Sequence, residues 1–258
     1  MTAVWSHRGR VAARPEIREN TPEAFASASI AGAEGIELDT WRTVDGEWVV
    51  RHDRETAHGD VDRLQAAEAP ELPRLGPALG ACAVASVNVE LKVAEEATPA
   101  EAAALGGALG DWLAGWSEGK ASKGRSPLQR LVVSSFSAAA LAAARGRRGD
   151  VGAAGSGGQK PAAERGGAPG YSTGLLVTEL PVPEYLAALV AAGDWAVHML
   201  HEALDEETVG RCHDLGVAVV AWTVDEEDEA ARLIGAGVDV LISNDPVRIL
   251  AVRDALRE

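Results

Sequence analysis

The sequence predicts a (β/α)8 barrel, and three observations carry that expectation. Short apolar runs that read as strands start near residues 4, 35, 86, 131, 174, 195, 218 and 238, and helical patterns separate them. Strands alternating with helices build a parallel sheet. The 258-residue chain has the length of eight such units, typically about 250 residues. A doubly wound open sheet is the rival, but it favours a glycine-rich phosphate loop after its first strand, and His7-Arg8-Gly9-Arg10 is no such loop.

Val4-Trp5-Ser6 forms the first strand, with His7-Arg8-Gly9 at its tip. Asn20 or Thr21 caps the first helix, Pro22 suits its opening turn, and it runs to Ala31 before Gly32 stops it. Gly35 opens a second strand that ends near Trp41 or Thr43. Asp45-Gly46 marks a hairpin turn, from which Glu47 to Asp53 returns as a strand with His52 at its end. Residues 54–76 are polar and weakly periodic, so a loop is expected there. A short helix, Leu75 to Ala83, precedes the strand Val84 to Lys92, and a long one, Pro99 to Trp116, follows it.

Arg130 to Phe136 reads as a buried strand, and Ser137 caps an alanine-rich helix reaching Arg147. Residues 148–171 are mostly Gly, Ala and Pro; with the pattern unchanged on either side, they read as a flexible surface insertion in one domain spanning 1–258. Strands at Leu175–Thr178, Trp195–Met199, Val217–Trp222 and Val238–Ile242 follow, divided by helices over 183–192, 205–215 and 227–236. A last helix begins at Asp245-Pro246.

With 47% hydrophobic and 24% charged residues the chain can bury a large core. Its formal charge of -15 argues against nucleic acid or an anionic membrane surface as partner, since both demand basic patches. Cys82 and Cys212 lack metal-binding spacing and are expected as buried free thiols. No stretch reads as a signal peptide or a membrane span, so a cytoplasmic protein is expected.

The chemistry concentrates in two strands. In Gly35-Ile36-Glu37-Leu38-Asp39 the carboxylates share one face and the aliphatics the other. Val87-Asn88-Val89-Glu90-Leu91-Lys92 likewise puts Asn88, Glu90 and Lys92 on one face. Enclosed carboxylates that close together need a cation to relieve their repulsion. All-oxygen donors suit a hard divalent ion and argue against structural zinc. The plainer alternative is a Glu90–Lys92 ion pair with no metal, which leaves Glu37 and Asp39 without partners. His7, Glu37, Asp39, His52, Glu90 and Lys92 all fall near strand C-terminal ends, where barrel enzymes keep their catalytic groups.

His7-Arg8-Gly9, Glu19-Asn20-Thr21-Pro22-Glu23-Ala24-Phe25, Gly35-Ile36-Glu37-Leu38-Asp39, Asp45-Gly46, Val49-Val50-Arg51-His52-Asp53 and Glu90-Leu91-Lys92 together closely resemble the glycerophosphodiester phosphodiesterase family. Ser134-Ser135-Phe136, Ala221-Trp222-Thr223-Val224 and Gly237-Val238-Asp239 extend the resemblance. It implies a (β/α)8 barrel that hydrolyses glycerophosphodiesters to glycerol 3-phosphate and an alcohol. It also implies one divalent metal, Ca2+ or Mg2+, on Glu37, Asp39 and Glu90, and His7 and His52 as acid and base. Lys92 joins that catalytic set and with Arg8 offsets phosphate charge, while Phe136 and Trp222 line the pocket for the glycerol end. Asn20 is read as a helix cap near the site. His198 is read as able to face the mouth, and His58, His201 and His213 as surface residues.

Two departures from the family stand out. Residues 54–72 are short and lack its Leu-x-Arg-Thr pattern, which leaves the preferred diester open. Ser243-Asn244-Asp245-Pro246 replaces the usual Thr-Asp before the final proline, expected to alter only a helix start. The alternatives are a phospholipase D-like barrel acting on lysophospholipid or sphingomyelin, and a non-catalytic binding barrel.

Overall fold

A computed structural model describes residues 1–121, 130–146, 171–179 and 183–257 of the chain. Its first strand, β1 (Ala3–Ser6), pairs in parallel with β2 (Gly35–Arg42) on one side. Strand β3 (Trp48–Val50) folds back antiparallel on β2, and β4 (Glu55–Thr56) and β5 (Gly59–Asp60) form a separate ribbon. Then come β6 (Ser86–Leu91), β7 (Arg130–Ser135), β8 (Ser172–Val177), β9 (Ala196–Leu200), β10 (Ala218–Trp222) and β11 (Val240–Ser243). The parallel order runs β2-β6-β7-β8-β9-β10-β11 and returns to β1, so the sheet closes on itself as an eight-stranded (β/α)8 barrel. Closure removes every free edge from the parallel sheet.

Alternation along each strand sorts residues into two layers. Outward-facing Val4, Ile36, Leu38, Val87, Val89, Val133, Val197, Val219 and Leu241 pack against the helices in the main core. Inward-facing Trp5, Val132, Ala196, Ala218, Val220 and Ile242 fill the barrel. At the closed end Trp5 stacks on Trp195, with ring centroids 6.1 Å apart, and the Arg130 guanidinium lies 4.4 Å from the Trp195 ring. Gly35 is required here because a Cβ would lie 2.5 Å from the Trp5 indole.

The helices begin where their caps place them. Thr21 accepts from the Ala24 amide at the start of α1 (Pro22–Ile30), Ser137 from Ala140 before α4 (Ala138–Arg145), and Asp245 from Arg248 before α8 (Pro246–Ala255). Between α1 and α4 lie α2 (Leu75–Ala81) and α3 (Pro99–Ala121), the latter running past the expected end at Trp116. Helices α5 (Pro183–Ala191), α6 (Glu206–Asp214) and α7 (Glu227–Gly235) match the expected spans closely.

The segment expected as a loop over 54–76 is more ordered than its composition suggests. It holds the β4–β5 ribbon and two 3-10 turns, Val61–Arg63 and Ala66–Glu68. Arg54 organises it, with Nε and Nη2 on the two Asp62 carboxylate oxygens at 2.7 and 2.9 Å and Nη1 on Glu96 at 2.9 Å. Val61, Ala69 and Leu72 bury a small apolar cluster with Trp41 and Val49. The insertion expected over 148–171 lies, apart from Tyr171, outside the described residues. Cys82 and Cys212 are buried and free, and burial pushes their thiols up to about 12 and about 11.

Candidate active site at the barrel mouth

Parallel registry between β2 and β6 sets Asp39 opposite Glu90 and Glu37 opposite Asn88, so three carboxylates converge inside the barrel. Glu37, Asp39 and Glu90 each offer an oxygen within 4.8 Å of the others. Lys92 reaches both Asp39 Oδ1, at 2.9 Å, and Glu90 Oε1, at 2.6 Å. Arg8 Nε lies 3.4 Å from Asp39 Oδ2, and Asn20 Nδ2 donates to the same oxygen at 2.8 Å. Glu37 Oε2 accepts from the Arg8 backbone amide at 3.1 Å, whereas its buried Oε1 has no donor.

The electrostatics follow from these contacts. Burial, then the Asp39 and Glu90 charges, hold the Glu37 carboxyl well above its ordinary range. Burial and Asp39 raise Glu90 to about 7. Burial also acts on Asp39, but Lys92 and Arg8 outweigh it and keep that carboxyl low. Burial would lower Lys92, yet Asp39 and Glu90 raise it. The Glu90–Lys92 pair considered from the sequence does form, and it leaves Glu37 outside it. Lys92 and Arg8 meet Asp39 and Glu90, and Glu37 Oε1 is left without a donor. This donor set fits a hard divalent cation.

His7, Arg8 and Gly9 form a 3-10 turn directly after β1. Arg8 sits in the left-handed region, φ 55°, a costly conformation for arginine. Its Nη1 is fixed by Glu19 at 2.8 Å and its Nε lies 3.2 Å from His7 Nε2. Asn20 also has positive φ, 57°, which asparagine tolerates best after glycine. The expected helix cap is therefore corrected: Thr21 caps, and Asn20 grips Asp39 through both its side-chain oxygen and nitrogen.

Asn244 requires a second correction. Its Oδ1 lies 2.9 Å from His7 Nδ1, while its Nδ2 donates to Asp225 Oδ2 at 2.7 Å. The Nδ2 bond fixes the amide orientation, so His7 Nδ1 is the donor to Asn244 and His7 Nε2 carries the lone pair. The Ser243-Asn244 departure thus touches a histidine as well as starting a helix. The cause is closure: Ser6 is paired with Ser243, so the residues after each meet. Burial and the Arg8 charge lower the His7 pKa to about 4.

His52 follows β3 in a bend, where its Nδ1 lies 2.8 Å from Asp53 Oδ1 and its carbonyl accepts from Trp41 Nε1. It shares a cavity of about 170 Å3 with Asn20, the residue that holds Asp39. Phe136 is 53% exposed and meets Trp222 edge to face at 5.8 Å. His198, expected to face the mouth, is instead sealed inside the barrel over Gly174, where burial drops its pKa to about 3. His58 and His213 are exposed as expected, but His201 is half-buried, with Nδ1 2.8 Å from Glu229.

Sequence reading passed over Asn244, Asp225 and Glu19 as supports of the histidine and arginine. The only local signal was the clustering of polar residues after the last strand.

A closed barrel in which three converging carboxylates could hold a metal ion, with His7 Nε2 3.9 Å from Glu37 Oε2, defines a candidate active site. The model of the glycerophosphoryl diester phosphodiesterase family matches residues 7–248. The chain belongs to that family, and it is accordingly a phosphoric diester hydrolase. A glycerophosphodiester phosphodiesterase of Caldanaerobacter subterraneus subsp. tengcongensis is 28% identical, with 96% of each chain covered. A glycerophosphodiester phosphodiesterase structure from Parabacteroides distasonis superposes with TM-score 0.78 at 20% identity, covering 100% of this chain and 98% of that one. An Oleispira antarctica phosphodiesterase, determined with the product sn-glycerol-3-phosphate, gives TM-score 0.73 at 22% identity, covering 98% and 97%. At such identities the structures bear on the fold.

Proposed function

We propose that the chain hydrolyses glycerophosphodiesters to glycerol 3-phosphate and an alcohol, using one divalent ion held by Glu37, Asp39 and Glu90. The observation that carries this is Glu37, fully enclosed beside two further carboxylates with one oxygen lacking any donor. A buried carboxylate left so is costly unless a cation completes it. Ca2+ or Mg2+ is the hard cation that the donors suit. Once bound, the ion would polarise the phosphoryl oxygens and stabilise the charge that develops on them.

The chain's own groups do the rest. Lys92 and Arg8 counter the phosphate charge, and Arg8 is held to that task by Glu19. His7, kept neutral by burial and by Arg8, takes the proton of the attacking hydroxyl on Nε2 once the Arg8 Nε–H that occupies this lone pair turns to the phosphate. That hydroxyl belongs to water or to the substrate's own glycerol. His52 delivers a proton to the departing alkoxide, its ring oriented by Asp53. Phe136 and Trp222 receive the glycerol end. The product carried by the Oleispira antarctica relative is the one expected here.

The test is glycerol 3-phosphate release from glycerophosphocholine in EDTA, Ca2+ or Mg2+, beside His52→Ala. Metal-dependent release that the variant loses by at least about a hundredfold supports the reading. Release that persists in EDTA, or in the variant, overturns it. Faster choline release from lysophosphatidylcholine would instead favour a phospholipase D-like reaction. Among the described residues, no helix is long and apolar enough to cross a membrane.

A further inference from the structure

The -15 charge of the chain is not spread evenly. The loop between β1 and α1 carries Arg8, Arg10, Arg14 and Arg18 against Glu16 and Glu19, four cations to two carboxylates. Two cavities open along it. The first, of about 170 Å3, starts at His52 and Asn20 and is walled by Arg18 and Arg51. The second, of about 410 Å3, shares Arg18 and Glu19 with the first and continues to Arg10 and Arg14. Together they make a groove leading away from His52. Its walls carry Arg10, Arg14, Arg18 and Arg51 against Glu19 and Asp53.

Those two carboxylates are already engaged. Glu19 accepts from Arg8 at 2.8 Å and Arg10 at 3.3 Å, and Asp53 lies 2.8 Å from His52. Arg18 is exposed and, among the described residues, donates to the Glu71 carbonyl alone, at 3.2 Å. Arg51 donates to the carbonyls of Asp53 and Glu55, and its Nη2 lies 4.0 Å from Asp53 Oδ2, a carboxylate exposed enough for water to screen the pair. Arg14 meets Glu16 at 2.6 Å, but both side chains are more than half exposed, so water screens that pair. The groove keeps a positive potential on an otherwise acidic protein, which concentrates anions there.

Its position selects which end of the substrate enters. In the closed barrel β7, which precedes Phe136, and β10, which ends in Trp222, flank the side of the mouth opposite β1 and β2. With the glycerol against that aromatic pair, the leaving alcohol would fall on the β1–β2 side of the mouth, the side of His52 and the arginines. A larger cavity of about 460 Å3 beside Lys92 is the competing exit. There Arg54 is spent on Asp62 and Glu96, Arg63 also lies on Glu96, and Arg42, on the Gly46 carbonyl and over Trp48, is offset by Glu101 in the same wall, so little uncompensated charge is left.

We propose that this arginine groove binds the alcohol half of diesters whose alcohol bears its own phosphate. The proposal rests on the diester-hydrolase reading and adds the substrate class. Arg18 and Arg14 supply the anion contacts, with Arg51 nearer the reacting phosphate.

The experiment compares kcat/KM for glycerophosphoinositol 4-phosphate, glycerophosphoinositol and glycerophosphocholine, in wild type and in Arg14→Gln/Arg18→Gln. Wild type is expected to prefer the phosphorylated substrate. The double variant should lose that preference by about fivefold or more, through KM, and retain glycerophosphocholine turnover within about twofold. Raising the salt should erode the wild-type preference and leave the variant nearly unchanged. Calorimetry of inositol 4-phosphate against the same two proteins reads the groove without any turnover. Weaker binding by the variant supports the groove even if no substrate is cleaved, in which case the hydrolase reading alone fails. An unchanged substrate ratio with equal inositol 4-phosphate affinity overturns the proposal and returns the alcohol to the cavity beside Lys92.

Discussion

Replacing Asn244 with alanine tests the support of His7 without touching a carboxylate of the acidic cluster. The amide bridges His7 Nδ1, at 2.9 Å, and Asp225 Oδ2, at 2.7 Å. Asp225 Oδ1 remains occupied in the variant by the Asn244 backbone amide and Ser243 Oγ, at 2.8 and 3.0 Å, so the turn should survive. What disappears is the amide's bond to Asp225 Oδ2 and, on the imidazole, one part-buried hydrogen bond worth roughly 1–2 kcal/mol with the ring left free to rotate. If that bond holds Nε2 in its reactive position, the loss appears in the transition state, as about a 5–30-fold fall in kcat with KM within twofold.

The pH dependence gives a second reading. The Asn244 bond raises the His7 pKa against the larger lowering by burial and Arg8, with a net value of about 4. Removing the bond drops it further. His7 therefore stays deprotonated from pH 6 to 9 in both proteins, and the fall in kcat should be constant across that range. Stopped-time release of glycerol 3-phosphate, with a melting curve to verify folding, supplies the measurement. A kcat within twofold of wild type, or a loss confined to KM, would refute the positioning of His7 by Asn244.

Three further outcomes follow from the same geometry. Glu90 is raised to about 7 and Glu37 well above its usual range, so in metal-free protein these carboxyls favour the protonated form. Both folded values lie above the unfolded ones; for Glu90 this stabilisation is complete below about pH 4.5 and is lost as pH rises through about 7. Metal must displace those protons. Ca2+ or Mg2+ at a hundred times its Kd should raise Tm by about 5–10 °C at pH 8, and the same concentration far less at pH 5. An equal shift at both pH values, read by calorimetry, would show that the ion binds elsewhere. Glu37→Gln removes the orphaned charge in the same volume; at pH 8 its metal-free Tm should equal or exceed that of wild type while the metal-induced rise vanishes. A retained rise would sink the ligand assignment. Gly174→Ala sets a Cβ 2.5 Å from His198 Nε2 and should cost about 1–3 kcal/mol by urea unfolding. His198→Ala in that background should recover part of the loss, and strict additivity would refute the contact.

Much of this protein is written locally. The two-residue repeat of a strand is enough to put Glu37 and Asp39 on one face and Ile36 and Leu38 on the other, whatever the rest of the chain does. Helix starts at Pro22, Ala138 and Pro246 follow from neighbouring caps, and eight strand–helix units in this length leave few architectures. The ordered stretch 54–74 was not legible, because its order comes from Arg54 bridging Asp62 and Glu96 and from Trp41 beneath it.

His198 shows the limit from the other direction. A histidine near a strand end looks functional from its position alone, and only the packing against Gly174 reveals a buried neutral ring. The sequence by itself determined the barrel, the acidic pair on β2 and the carboxylate on β6, since these depend on periodicity and strand order. Tertiary structure alone decided that Asn20 grips Asp39 and that Asn244 holds His7 across 237 residues of chain. Closing a sheet joins its first and last strands, and no local pattern records which side chains then meet.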